Sequence, residues 1–393
     1  MFDTIATILE AVLVAITAIL AFLGIATTQQ TFVYIQDITP APQVEESGEK
    51  PQEIEESPEE VPIQPLPENT TRAEKEEALV GKDFLETLQE SSTAVIPLPI
   101  PKKITLSGVH VNQTTREAVV NIFCLPAHGG FFNPISASGV IIDERGVILT
   151  NAHVAQYFLL ETYQDTPFIN CVIRTGSPAR VAYTAEPLFI SSSWIDENIE
   201  SIIKPETTST GENDFAFLYI TGTTNPNTER PESFPSLDIF PLSKTIRRGD
   251  PVLVAGYPAG FLGGITISRD LWVSSSITLI KEIFTFSEEK YGPLDLVSVG
   301  GIITAQEGSS GGAVVDMYDN NLLGIITLRT EGDTTSTRDL RALTLQHINR
   351  SLLEESGESV EKLLSGNLVE KKEGFASTSA PALKAKLVEV LEN

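Results

Sequence analysis

Between about residue 103 and residue 349 the chain is written in short β-rich runs broken by Gly, Pro, Asn and Asp. They include AVVNIF (118–123), SGVII (138–142), VILT (147–150), FINCVI (168–173), FAFLYI (215–220), PVLVA (251–255), AVV (313–315) and LLGIITL (322–328). Many strands at short intervals, with few long helical periods, restrict this stretch to an all-β sandwich or barrel. About 245 residues are enough for two packed barrels, which predicts one over 103–235 and a second over 236–350.

The flanks have a different texture. Residues Ile5 to Ala26 form an apolar run whose single charge is Glu10. As a helix it would span about 33 Å, enough for a hydrocarbon core of roughly 30 Å. It lacks the basic start of a secretory signal and exceeds the usual apolar length of one, so residues 1–30 read as a transmembrane anchor. The first basic residue is Lys50, so loop charge does not set an orientation. Residues 31–102 read as a spacer. They hold seven prolines between 37 and 70, and from Asp37 to Glu90 there are 16 acidic and 4 basic residues, a charge of −12. Proline removes backbone donors and like charges repel, so the segment is extended and solvated, with one short helix around 73–92. A single anchor followed by such a spacer suits a folded domain outside the cytoplasm. Residues 351–393 read as a helical or flexible tail, too short for an independent domain unless it docks.

Composition excludes several classes. A hydrophobic content of 41% rules out a wholly disordered chain. The formal net charge of −26 speaks against nucleic acid or an anionic lipid surface as a partner, since both are held by basic patches. Two cysteines, Cys124 and Cys171, exclude a disulfide-dense scaffold and a four-cysteine zinc site. No His and Cys series has metal-ligand spacing, and no cofactor is called for. Both cysteines fall on strand-like runs, which predicts buried free thiols, with a bridge possible if the domain is exported.

Three segments end or begin such runs with a reactive residue: Thr150-Asn151-Ala152-His153 after VILT, Asn213-Asp214 before FAFLYI, and Gly308-Ser309-Ser310-Gly311-Gly312 before AVV. A serine hydroxyl is a weak nucleophile and needs an imidazole to take its proton. The imidazole needs a carboxylate to set its tautomer and stabilise its charged form. Glycines let backbone N–H groups turn toward a developing oxyanion.

On these residues the sequence resembles the trypsin/chymotrypsin-like serine peptidases, especially the HtrA/Deg branch. The matching stretches are TNAH at 150–153, NDFAFL at 213–218 and GSSGG at 308–312, in the order His, Asp, Ser of that family. The resemblance implies a two-barrel Greek-key fold and a serine endopeptidase acting on polypeptides through an acyl-enzyme. His153 would be general base and then acid, Asp214 its orienter and Ser310 the nucleophile. The N–H groups of Gly308 and Ser310 would form the oxyanion hole. Ile325, Ile326 and Thr327 would lie along the substrate, and Thr304 near the floor of the specificity pocket. No acidic residue stands on that floor, so a preference for Arg or Lys is not expected. Ser309 stands where digestive members carry the Asp that pairs with a new N-terminus, so activation by that route is not expected. The tail is shorter than the PDZ domain usual in the Deg-like branch, so the assembly of that branch cannot be assumed. Segments 186–212 and 221–238 look like insertions beside the cleft.

Other readings of the same residues are weaker. GSSGG also fits the G-x-S-x-G elbow of α/β-hydrolases, but that elbow needs a following helix, and AVVDMYDNNLLGII reads as strand, turn and strand. A latent or non-catalytic peptide-binding module on a protease fold stays open. His110, His128 and His347 are expected to be structural or surface residues, Glu212 and Glu307 solvated rim charges. The Asn-X-Ser/Thr triplets at Asn69, Asn112 and Asn349 carry little weight.

Overall fold

The structure, a computed structural model, describes residues 107–126, 134–163, 168–203, 210–260, 262–287, 293–299, 307–329 and 339–392. The expected anchor (1–30), the spacer (31–102), Thr304 and His128 lie outside the described residues. Among the described residues no helix is long and apolar enough to cross a membrane.

Helix α1 (Gly108–Ala118) opens the described chain, with Ser107 accepting a hydrogen bond from the Val109 N–H at its start. Its Val and Thr content is poor in helix formers, so the local sequence does not predict it. Six strands follow: β1 (Val119–Pro126), β2 (Ile135–Asp143), β3 (Val147–Thr150), β4 (Ile169–Thr175), β5 (Arg180–Ile190) and β6 (Ala216–Thr223). They close into an antiparallel barrel in the order β1-β2-β3-β6-β5-β4. Closure leaves no unpaired edge. Short helix α2 (Ala152–Ala155) and a 3-10 turn (Gln156–Leu160) follow β3, and α3 (Ser192–Asn198) follows β5. The expected insertion at 186–212 is therefore partly the end of β5 and partly α3.

The second half forms a seven-stranded sheet from β7 (Pro251–Gly256), β8 (Ser274–Leu279), β9 (Glu282–Phe284), β10 (Leu296–Ser298), β11 (Ala313–Asp316), β12 (Leu322–Arg329) and β13 (Leu340–Thr344). Its order is β8-β7-β11-β12-β13-β10-β9. Helix α4 (Gly264–Arg269) lies between β7 and β8. The six-stranded barrel and this sheet fit the all-β, two-barrel chymotrypsin-like fold.

Side-chain alternation produces three cores. Ile122, Ile141, Ile148, Ile173, Ala185 and Leu218, one from each strand of the barrel, belong to the first. Val252, Val254, Val314 and Ala342 belong to the second, within the sheet. Their neighbours of opposite parity, such as Leu149, Phe217, Leu253, Ala255 and Leu343, meet in a third core between the halves. One strand thus serves two cores, and a one-residue slip would exchange the two sets and mismatch both cores.

The tail docks. Helices α5 (Leu345–Ser356), α6 (Val360–Leu364), α7 (Leu368–Thr378) and α8 (Ala380–Glu392) leave β13 in sequence. Ile348, Leu352, Leu363 and Leu368 join the shared core. Phe375, Leu383 and Leu387 join that of the first barrel. The tail therefore runs from the second sheet back onto the first barrel.

Cys124 and Cys171 are joined in a disulfide, which corrects the expectation of free thiols. They are directly opposed in the β1–β4 pairing. Strand register brings them together, and register between distant strands is not written in either local run.

Candidate active site

Strand β3 ends at Thr150, and Asn151, two residues before His153, stands at the N-cap of α2. The Asn151 side chain donates from Nδ2 to the Asp214 carbonyl at 2.9 Å, tying this helix start to the start of β6. Asp214 then reaches His153 twice. The His153 backbone N–H donates to Oδ1 at 3.0 Å, and Nδ1 lies 2.8 Å from Oδ2. This contact places the Nδ1 proton on the carboxylate side and leaves Nε2 as the basic nitrogen. Asp214 is 2% exposed. The His153 side chain is 34% exposed, so its outer edge meets solvent. Burial works against the charged imidazole, but the charge and hydrogen bond of Asp214 together outweigh it, and His153 holds its proton above the ordinary histidine range. The Trp194 ring, carried by α3, stands 6.2 Å from that of His153.

Two further contacts bear on Asp214. The Thr327 hydroxyl donates to Oδ2 at 2.7 Å from the second half of the molecule. Asn213, just before Asp214, takes a left-handed φ of +60°. Asn tolerates that region better than most residues, and its side chain here is held by the Ser351 hydroxyl at 2.6 Å.

The serine loop is built on backbone conformations that exclude a side chain. Gly308 has φ +87° and Gly311 φ +79°. A Cβ on Gly311 would lie 2.1 Å from the Ser138 carbonyl oxygen and 2.5 Å from Thr150 Oγ1. The loop therefore abuts the strand end that leads into His153. Ser138 is the hub. Its N–H donates to the Ser310 carbonyl at 2.8 Å and its hydroxyl to the Gly308 carbonyl at 2.7 Å. The same hydroxyl accepts from the Tyr257 N–H at 2.9 Å, and the Ser138 carbonyl accepts from the Thr150 hydroxyl at 2.8 Å. Sequence reasoning missed Ser138, Asn151 and the link from Thr327 to Asp214. The only signal was a polar residue within or just after a buried run.

His153 and Asp214 are in direct contact, and Ser310 is joined to them through Ser138 and Thr150. No hydrogen bond links Ser310 with His153 among those of the described residues. Such bonds are often long before substrate arrives. Ile325 and Ile326 do not line a free edge. Ile326 donates to the Gly312 carbonyl at 2.9 Å and accepts from the Gly311 N–H at 2.8 Å. Both side chains are buried in cores, so a substrate would meet these two residues through the backbone. Of the three, Thr327 alone contacts Asp214.

His347 is buried against Asp295, Nδ1 to Oδ1 at 3.0 Å, where Asp295 directly precedes β10. Among the described residues no serine hydrogen-bonds to this second His–Asp pair, and the Thr344 hydroxyl beside it caps α5 by accepting from the His347 N–H. Among the described residues no group of His, Cys, Asp and Glu could hold a metal ion.

The chain has no match among curated proteins. Residues 137–325 match the family model described as trypsin-like peptidase domain, a stretch that contains His153, Asp214 and Ser310. That match, on a barrel and sheet of chymotrypsin-like form, supports a trypsin/chymotrypsin-like serine peptidase.

Proposed function

We propose that the protein is a membrane-anchored serine endopeptidase of the HtrA/Deg-like branch that cleaves polypeptides. The observation that carries the catalytic part is the Asp214–His153 contact at 2.8 Å, next to a glycine-framed serine loop. In this reading His153 Nε2 takes the Ser310 proton as Oγ attacks the scissile carbonyl. The N–H groups of Gly308 and Ser310 receive the oxyanion, and His153 returns the proton to the leaving amine. Water then hydrolyses the acyl-enzyme by the same path in reverse. The anchor is supported by the apolar run Ile5–Ala26. Placement outside the cytoplasm is supported by the Cys124–Cys171 bridge, since disulfides persist in oxidising compartments. Ser309 in place of an aspartate supports the branch.

The test is labelling by a fluorophosphonate. The wild type is expected to label at Ser310 and to cleave casein, and Ser310→Ala to lose both. Cleavage at the wild-type rate by the Ala variant would sink the assignment. The alternative reading is a latent or peptide-binding module on the same fold. That reading expects peptide binding without turnover.

A further inference from the structure

Helix α5 lies outside the stretch that matches the peptidase family, yet two of its side chains hold the turns on which the candidate acid and base depend. Glu355 is half-buried and aims its carboxylate at the start of α3. Oε1 accepts from the Ser191 hydroxyl at 2.7 Å. Oε2 accepts from the Ser192 N–H at 2.8 Å, the Ser192 hydroxyl at 2.9 Å and, more weakly, the Ser193 N–H at 3.4 Å. The first N–H groups of a helix have no partner within it, and here one carboxylate takes two of them. One residue further on is Trp194, 2% exposed, whose ring flanks His153. The Ser191 N–H also donates to the carbonyl of Phe215, next to Asp214, at 3.3 Å.

The second side chain is Ser351, one helical turn before Glu355. Its hydroxyl donates to Asn213 Oδ1 at 2.6 Å, with Glu355 Oε1 at 3.4 Å as a weaker second acceptor. Asn213 is the left-handed residue from which Asp214 is presented. One face of α5 thus grips the segment before the carboxylate and the segment beside the imidazole. Those two segments have no regular strand pairing of their own at these positions.

We propose that Glu355 is a positioning residue for the candidate acid and base. With Ser351 it clamps the Ser191–Trp194 turn and the Asn213 turn to α5, and so fixes Asp214 and Trp194 around His153. The proposal rests on the peptidase reading for its catalytic consequence. The geometric part, a clamp that sets the environment of His153, is measurable without turnover. The charged group that faces His153 is Asp214, and the other neighbour described is the Trp194 ring.

The test uses the full chain with Glu355→Ala, Glu355→Gln and Ser351→Ala. Three quantities are read: Ser310 labelling rate with kcat and KM on a small ester, the pH titration of His153 by NMR, and the urea midpoint. Glu355→Ala is expected to lower labelling and kcat about tenfold while KM stays within about twofold. It is also expected to lower the His153 titration midpoint by about half a pH unit. Glu355→Gln keeps one acceptor oxygen and is expected to recover most of both. A folded Glu355→Ala with unchanged kcat and an unchanged His153 midpoint overturns the proposal. If that variant does not fold, Ser351→Ala decides, since it removes the contact with Asn213 and leaves the carboxylate. The same His153 shift supports the clamp, and no shift overturns it. A wild type that never labels at Ser310 defeats the peptidase reading, and the His153 titration then still decides whether the clamp exists.

Discussion

Thr327 and Asp214 stand 113 positions apart in sequence and on different halves of the molecule, yet the threonine hydroxyl donates to the aspartate carboxylate at 2.7 Å. The carboxylate that faces His153 is therefore held from the second sheet as well as from the first barrel. The next residue back, Ile326, pairs by both backbone groups with Gly311 and Gly312. Strand β12 consequently couples the acid to the serine loop. Replacing the hydroxyl by a methyl in Thr327→Val should cost about tenfold in kcat/KM, about 1.4 kcal/mol, with the fold intact. Ester hydrolysis and a circular dichroism spectrum of the variant check both halves of that expectation.

The pH profile follows from His153. Its proton affinity is raised, and in the proposed mechanism the base form is the active one, so kcat/KM should rise with pH through a midpoint above 6.5. In Asp214→Asn the opposing charge is gone and burial remains, so the midpoint should fall to or below 6.5 while the rate drops by about 10³–10⁴. The stability sign is the reverse of the activity sign. The His153–Asp214 pair stabilises the fold fully below the unfolded-state value and loses that contribution as pH rises through the raised one. Urea unfolding of the wild type and Asp214→Asn across pH 5 to about 8 reads this directly.

Gly311→Ala tests the serine loop. The added carbon meets the backbone oxygen of Ser138, which no side-chain rotation relieves, at a φ of +79°. The expected cost is about 2–4 kcal/mol with loss of labelling at Ser310. Gly249 has φ +85° with nothing within 4 Å of an added Cβ. Gly249→Ala should cost only about 1 kcal/mol and leave labelling alone. Equal effects of the two changes would count against the packed loop.

The disulfide closes a loop with a sequence separation of 47. Replacing both Cys124 and Cys171 by Ser should lower stability by about 2–4 kcal/mol. Reducing agent should shift the melting temperature of the wild type and not that of the double variant.

Leu387 is fully buried although it sits far down the tail. Leu387→Ala should cost about 2–5 kcal/mol, a value typical of a core leucine. A cost near zero in calorimetry would mean that α8 is not seated on the barrel in solution.

What the sequence made readable was local. Short apolar runs marked β3, β6, β7 and β12, and the turn residues beside them marked His153, Asp214 and the serine loop. What it concealed depends on register. Cys124 and Cys171 sit on ordinary strand patterns, and only the β1–β4 pairing sets them face to face. The alternating pattern of Ile325 and Ile326 tells which face a side chain takes and not which neighbour claims its backbone, as Gly311 and Gly312 claim that of Ile326. The periodicity of the tail was visible, but its partners, Ser191 and Asn213, carry no mark that a helix will land on them. Helix α1 was hidden because Val, Asn and Thr do not announce a helix, and its start rests on the single cap at Ser107.

The route of the tail has a consequence for the order of synthesis. Phe375, Leu383 and Leu387 complete an apolar face whose other members, such as Val154 and Ile195, were made some two hundred residues earlier. Until residue 387 has left the ribosome, that face lies bare to water. A chain stopped at Ser379 should accordingly bind an apolar dye that the longer chain refuses, and a nascent barrel needs shielding from its neighbours for as long as translation of the second half takes.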